Sequence, residues 1–322
     1  MKPTAFITGI TGQDGSYLAE FLLAKDYQIA GLISAQHNIG WQNIASFKDQ
    51  LILETGDLMD KNSLEKIIKK FKPSEIYNLA GVTFVPTAWD KTTLALDVNL
   101  LGTSRLLEVI RDYSPQTKFY QATSAKIFGL PQESPQTETT PLNPIDPYSI
   151  SKAAGHYLVK AFRTHFQLFA VSGILYNHES ERRGEEFVTR KITQTAAKIK
   201  LGLADKLTLG SLDSRQDWGY APDYVAAMWL MLQQAKPDDY IIASGQLHSV
   251  KDVCQAAFSY LQLDYRKFVT TDKKFTRKTE ALAPVGDASK AKKIFGWQPK
   301  VDFKTMIIKM VENDLKLLKA GK

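Results

Sequence analysis

Cysteine is almost missing from this 322-residue chain. Cys254 stands alone, so no intramolecular disulfide can form, which fits a reducing compartment, and the cytoplasm is the expected location. Histidine is scarce as well: there are five, none at metal-ligand spacing, so no metal site is expected. No apolar run approaches the roughly 20 residues that span a bilayer, so no membrane segment is expected. The opening "MKPTAFITG" enters a strand-like run directly and does not read as a signal peptide. Internal repeats, low-complexity tracts and the zinc-finger, homeodomain and RNA-binding signatures are absent too, so neither a solenoid nor a nucleic-acid partner is expected.

The composition that remains is ordinary for a soluble globular protein, with 44% hydrophobic and 23% charged residues. The net charge of +7 is spread along the chain and thickens only at "TDKKFTRK" and "SKAKKIFG". A scattered excess reads as a solvated surface, and the alternative is attraction of a phosphate-bearing small molecule.

Short apolar runs alternate with amphipathic stretches through the first half. "TAFITG", "YQIAGLIS", "LILETGDL", "EIYNLAG", "KFYQATSA" and "LFAVSGILYN" read as strands, and "GSYLAEFLLAKD", "SLEKIIKKFKP", "TTLALDVNLLGTSRLLEVIRDY" and "SISKAAGHYLVKAFRTHF" as helices. That alternation predicts an α/β protein with a Rossmann-like, doubly wound parallel sheet covered on both faces. After Asn177 the rhythm breaks. "DYIIASG" reads as one more buried strand, 264–280 as charged and irregular, and the end as a helix from about Phe303. The expected division is a nucleotide-binding domain over 1–177, to which 216–246 returns, and a smaller interleaved substrate lobe of 178–215 and 247–322.

Two motifs carry chemistry. In "TGITGQDG", Gly9, Gly12 and Gly15 lie between the first strand and the first helix, where glycine lets the backbone approach a pyrophosphate at a helix N-terminus. Gln13 and Asp14 complete this loop. Asp57, after the third strand, is placed to accept hydrogen bonds from an adenine, or else to cap a helix, and Leu58, Leu79 and Ala80 complete the expected cofactor lining. The end of the second strand, Ile33 to Gln36, has neither the acidic residue that favours NAD nor the arginine that favours NADP. In "YSISK", Tyr148 and Lys152 stand four apart on a predicted helix and share a face. An ammonium beside a phenol is expected to lower its pKa and let it act as a base, with Ser124 ending a strand nearby.

These segments resemble the extended short-chain dehydrogenase/reductase family and, within it, the GDP-mannose 4,6-dehydratases. "TGITGQDGSYLAEFLL", "GILYNHESERRGEEFVTRKI", "DWGYAPDYVAAMWLMLQ" and "GWQPKVDF" are similar to that group's signatures across nearly the whole chain. The resemblance implies a nicotinamide cofactor, NADP by the family's habit with NAD not excluded, a GDP-sugar substrate, and a homodimer, with a tetramer left open. It implies that Tyr148 takes the proton of the sugar's 4-hydroxyl, that Lys152 holds the ribose and tunes Tyr148, and that Ser124 hydrogen-bonds the 4-oxygen. It also implies sugar, diphosphate and guanosine contacts at Thr83, Asn177, Arg183, Val188, Arg215, Arg277 and Glu280. Arginines suit a diphosphate by their planar fork of donors.

The sequence departs from the family at Lys126. The dehydratases carry Thr-Ser-Glu where this chain has Ser124-Ala125-Lys126, and their glutamate is the base at carbon 5. A protonated lysine takes no proton unless burial or another cation lowers its pKa. Lys126 is expected to face carbons 5 and 6, on the argument that residues two apart on one strand point the same way. Ser34 and Ala35 replace arginines that serve the NADP phosphate and a tetramer contact, and Gln216 replaces another arginine. Three readings stay open: a dehydratase with an unusual base, an epimerase or oxidoreductase at carbon 4 that keeps its water, and a non-catalytic nucleotide-sugar binder.

Overall fold

A computed structural model describes residues 2–34, 40–272, 274 and 283–321. In chain order the elements are β1 (Thr4–Thr8), α1 (Gln13–Leu23), β2 (Gln28–Ile33), β3 (Ile52–Thr55), α2 (Lys61–Phe71), β4 (Glu75–Asn78), α3 (Val85–Asp90) and α4 (Thr92–Leu96). A π-helical segment, Asp97–Leu101, joins α4 to α5 (Gly102–Tyr113). Then come β5 (Lys118–Ser124), α6 (Pro147–Phe166), β6 (Ala170–Leu175), β7 (Asn177–Glu179), α7 (Val188–Lys200), β8 (Leu207–Leu209), β9 (Arg215–Tyr220), α8 (Ala221–Leu232), β10 (Asp239–Ile242), β11 (Leu247–Ser249), α9 (Val250–Tyr260), β12 (Val269–Thr271), α10 (Ser289–Phe295) and α11 (Phe303–Lys319).

Seven of these strands form one parallel sheet in the order β3-β2-β1-β4-β5-β6-β10. The order reverses between β1 and β4, the place where open α/β sheets leave a crevice at the carboxyl ends of their strands. Alternation along each strand feeds two separate cores. Ala5 and Ile7 pack with Leu18, Leu22, Tyr224 and Met228 on the face covered by α1 and α8, whereas Phe6 packs with Leu64, Ile68, Leu106 and Ile110 on the other. Phe119 and Tyr120 of β5 divide the same way.

A third core gathers Ile192, Ala196, Trp218, Val253, Phe258, Met306 and Met310 from the later elements. Asp217 of β9 sits beside it, 1% exposed, and its carboxylate accepts from the backbone N–H groups of Ser244, Gly245 and Gly286 and from the Ser244 hydroxyl. Among the described residues, no helix is long and apolar enough to cross a membrane, and no group of three or more His, Cys, Asp or Glu side chains is placed to hold a metal ion.

Candidate active site

The glycine loop and the end of β4 meet at the point of reversal. Gly9 has φ +70, and a Cβ built on it would lie 2.8 Å from the Ala80 nitrogen, so only glycine lets the two chains come this close. A Cβ on Gly15 would stand 2.2 Å from the Gly9 carbonyl oxygen, which fixes the tight turn into α1. Gly12 is the N-cap of α1 and no side chain caps that end, so backbone N–H groups of the first turn are left for an anion. Thr8 Oγ1 accepts from the Leu79 and Ala80 nitrogens at 3.1 Å each and donates to Asn78 Oδ1 at 2.7 Å, which fixes the β4 rim. Glycine-walled backbone on two sides of a helix N-terminus fits the pyrophosphate of a dinucleotide.

Asp57 does not cap α2, whose N-cap is Asp60; its carboxylate instead accepts from Met59 N at 2.9 Å. Leu58 is buried and its carbonyl accepts from Arg105, so side-chain contact with a ligand is not what the structure offers there.

A reciprocal cap sets the start of α6. Asp146 accepts from Ser149 N at 2.9 Å, Ser149 Oγ accepts from Asp146 N at 3.0 Å, and Pro147 opens the helix. Tyr148 thereby stands in the first turn, 9% exposed, near enough to Ser124 at the end of β5 for that hydroxyl to act on its phenol. One turn later Lys152, 5% exposed, donates to the Ala122 carbonyl at 2.8 Å. Burial lowers Lys152 to about 8, against a weaker upward pull from Asp14.

The expected depression of the Tyr148 phenol is not what the structure gives. Burial raises it, and the Ser124 hydroxyl and the charge of Arg183 only partly offset that. Lys152 Nζ lies 6.0 Å from the Tyr148 ring centroid and bonds the backbone, so its charge is not spent on the phenol.

The strand argument for Lys126 also fails. β5 stops at Ser124, and Lys126 lies in a 3-10 turn, Ala125–Phe128, capped by Ser124 Oγ, which accepts from Lys126 N at 3.2 Å. That turn, not strand alternation, carries Lys126 into a small cleft lined by Ala125, Tyr176, Asn177, Gln216 and Pro284. No carboxylate is among those lining residues. Asn177 Nδ2 donates to Gln216 Oε1 at 3.1 Å, so the residue that departs from the family holds an expected sugar ligand.

Among the described residues, the other expected substrate residues do not line this cleft. Arg183 pairs with Glu179 at 3.1 Å and lies 3.5 Å over the Phe187 ring; Val188 opens α7. Thr83 is exposed on the loop after β4, and Arg215 is exposed at the start of β9, next to Gln216. Arg277 and Glu280 lie outside the described residues.

Two features escaped the sequence reading. Asn99, in the π-helical segment, accepts from Val82 N at 2.9 Å and donates to Val82 O and Ser151 Oγ, clamping the loop beside Gly81. A Cβ on Gly81 would be 2.7 Å from Asn99 Oδ1 and 3.7 Å from Lys152 Nζ. His178 is the second: its Nε2 lies 2.8 Å from Asp14 Oδ2 and its Nδ1 2.7 Å from the Tyr176 carbonyl. Burial pulls His178 down, but the charge and hydrogen bond of Asp14 together with the Tyr176 carbonyl carry the net direction up. For Asp14, burial pushes up, and His178 with Gln13 and Arg183 carries the net direction down. No periodicity or motif spacing in the sequence brings residues 14 and 178 together.

Comparison with known proteins agrees with this geometry. The profile of a family described as GDP-mannose 4,6 dehydratase matches residues 6–310. The Arabidopsis thaliana protein GDP-mannose 4,6 dehydratase 1 is 45% identical over 333 aligned positions, covering 100% of this chain and 92% of that one. Among solved structures, dTDP-glucose 4,6-dehydratase from Bacillus anthracis, in complex with NAD, superposes with a TM-score of 0.86 at 23% identity, covering 98% of each chain. RMD from Pseudomonas aeruginosa, complexed with NADPH, gives 0.83 at 22% identity, covering 98% of this chain and 99% of that one. At those identities the solved structures speak to the fold.

Proposed function

The chain belongs to the GDP-mannose 4,6-dehydratase family, and from that premise we propose that it oxidises GDP-mannose at carbon 4, removes water across carbons 5 and 6, and reduces carbon 6. The observation that carries this reading is the convergence of Ser124, Tyr148 and Lys152 beside the glycine loop in a chain related to the dehydratases along its whole length. When bound, a nicotinamide dinucleotide supplies the hydride acceptor and donor. Gly9, Gly12 and Gly15 would hold its pyrophosphate at α1, Asp57 its adenosine half and Lys152 the ribose beside Tyr148. The choice between NAD and NADP is left to measurement.

Tyr148 takes the proton of the 4-hydroxyl, and Ser124, beside it at the end of β5, fixes the oxygen. The resulting 4-keto group acidifies the proton on carbon 5. Lys126 is the side chain we assign to that proton and to the departing 6-hydroxyl. Asn177, Arg183, Val188 and Arg215, with Thr83, Arg277 and Glu280, are assigned to the GDP-sugar. The lobe formed by 178–215 and 247–322 is the one we assign to holding it. A second copy of the chain is proposed to cover the exposed apolar side chains Ile150 and Tyr157, seven apart on α6.

One observation favours a second reading. Among the described residues, no carboxylate lines the cleft beside Lys126, and an enzyme that only inverts or oxidises carbon 4 needs none. Mass spectrometry of the product formed from GDP-mannose tests the proposal. A nucleotide sugar lighter by one water supports dehydration, and unchanged mass with altered stereochemistry supports the second reading.

A further inference from the structure

Asp14 is the second residue of α1, in the turn assigned above to the pyrophosphate. A carboxylate there suits the helix dipole but opposes a bound anion. The structure takes up that charge from within. Oδ2 lies 2.8 Å from His178 Nε2, and Oδ1 accepts from Gln13 Nε2 at 3.0 Å. The two side chains of the pair are only 22% and 11% exposed. His178 Nδ1 meets the Tyr176 carbonyl at 2.7 Å. Each ring nitrogen thus faces an atom that only accepts, so both carry protons and the ring is an imidazolium. Stacking on Tyr224, at 4.6 Å between centroids, holds the ring in plane. Gln13 Nε2 also donates to the His178 carbonyl, and Ser180 Oγ donates to Gln13 Oε1, so β7 and the loop end of α1 are tied by several bonds.

We propose that His178 is a positioning residue whose charge cancels that of Asp14 and keeps the N-terminus of α1 receptive to the pyrophosphate of the cofactor. The proposal rests on the dinucleotide reading of the glycine loop. Without the imidazolium, Asp14 loses its hydrogen-bonded cation and keeps only the weaker attraction of Arg183 and Lys152, within one helical turn of a doubly charged group. At the effective dielectric of such a site the remaining repulsion weakens binding by roughly ten- to hundredfold.

The test measures NAD⁺ and NADP⁺ dissociation constants by calorimetry at pH 6, where an aspartate is ionised and His178, raised from its ordinary value by its partners, keeps its proton, for the parent, H178Q and D14N/H178Q. The expected result is weak binding by H178Q and recovery to within about threefold of the parent in the double variant, because the offending charge has gone with its partner. Equal binding by H178Q and the parent overturns the proposal. Weak binding by both variants also overturns it, since a histidine that touched the cofactor directly is not rescued by Asp14→Asn. Should H178Q fail to fold, H178N and D14N/H178N replace the pair and are read by the same criteria. If the parent binds neither dinucleotide, the reading of the glycine loop fails instead, and that result is distinct from the others.

Discussion

Lys152→Met should stabilise the protein while destroying its chemistry. In the fold, burial holds the Lys152 ammonium at about 8, against 10.5 for an ordinary lysine. The gap corresponds to about 3 kcal/mol by which the folded state disfavours the charge at neutral pH. Methionine matches the aliphatic stem and removes the charge. The Ala122 carbonyl that loses its Lys152 bond keeps a bond from Gln121 Nε2 at 3.2 Å, so the loss is about 1 kcal/mol and the net gain about 2. At about 2.1 cal/mol/K per residue, that gain raises the Tm by about 3 °C for a chain of 322 residues. The sign with pH follows from proton counting. Between about 8 and 10.5 the unfolded chain holds the Lys152 proton and the folded chain does not, so wild-type stability from this group rises through that window. The advantage of Lys152→Met is therefore full below pH 8 and gone above about 10.5. Thermal unfolding of both proteins, stripped of dinucleotide and followed by circular dichroism from pH 7 to 10.5, reads it directly. A variant less stable than the parent at pH 7, or a difference that does not change with pH, refutes the reasoning.

Tyr148→Phe should lower turnover roughly 100- to 10,000-fold while leaving dinucleotide affinity unchanged, as steady-state rates and calorimetry will show. Gly15→Ala puts a Cβ 2.2 Å from the Gly9 carbonyl oxygen, so dinucleotide binding and Tm should both fall, checked on the same instruments. Asp217→Ala removes the buried carboxylate that three backbone N–H groups and one hydroxyl share, and should cost about 1 to 3 kcal/mol in denaturant unfolding. Lys126→Ala should stop loss of water but spare oxidation at carbon 4, seen as reduced cofactor accumulating at 340 nm, the usual absorbance of a reduced nicotinamide.

The parallel sheet was legible because most of its strands, such as β1 and β6, are buried apolar runs bounded by turn residues, and the helices between them show a clear period. Ser124, Tyr148 and Lys152 were legible for the same reason: one ends a strand, and the other two are a helical turn apart. What stayed hidden depends on contacts distant in sequence. β7, β8, β11 and β12 are three residues each, too short for alternation to register, and they exist through pairing with neighbours. The turn at Lys126 read as more strand because Ile127 and Phe128 are apolar and buried, yet the hydroxyl of Ser124 turns the chain first. α10 lies inside a basic stretch that reads as a solvated surface, although Ala291 and nearby Trp297 belong to the core beneath α8. The raised Tyr148 phenol follows from burial, which a helical spacing of four does not reveal.

Dehydration is tested most directly by running the reaction on GDP-mannose in deuterated water and weighing the nucleotide-sugar product. Removal of the carbon 5 proton, departure of the 6-hydroxyl and reprotonation at carbon 5 predict a product that has lost one water and gained a single deuterium at carbon 5. A product of unchanged mass with no deuterium on carbon contradicts dehydration and leaves Lys126 without the role assigned to it.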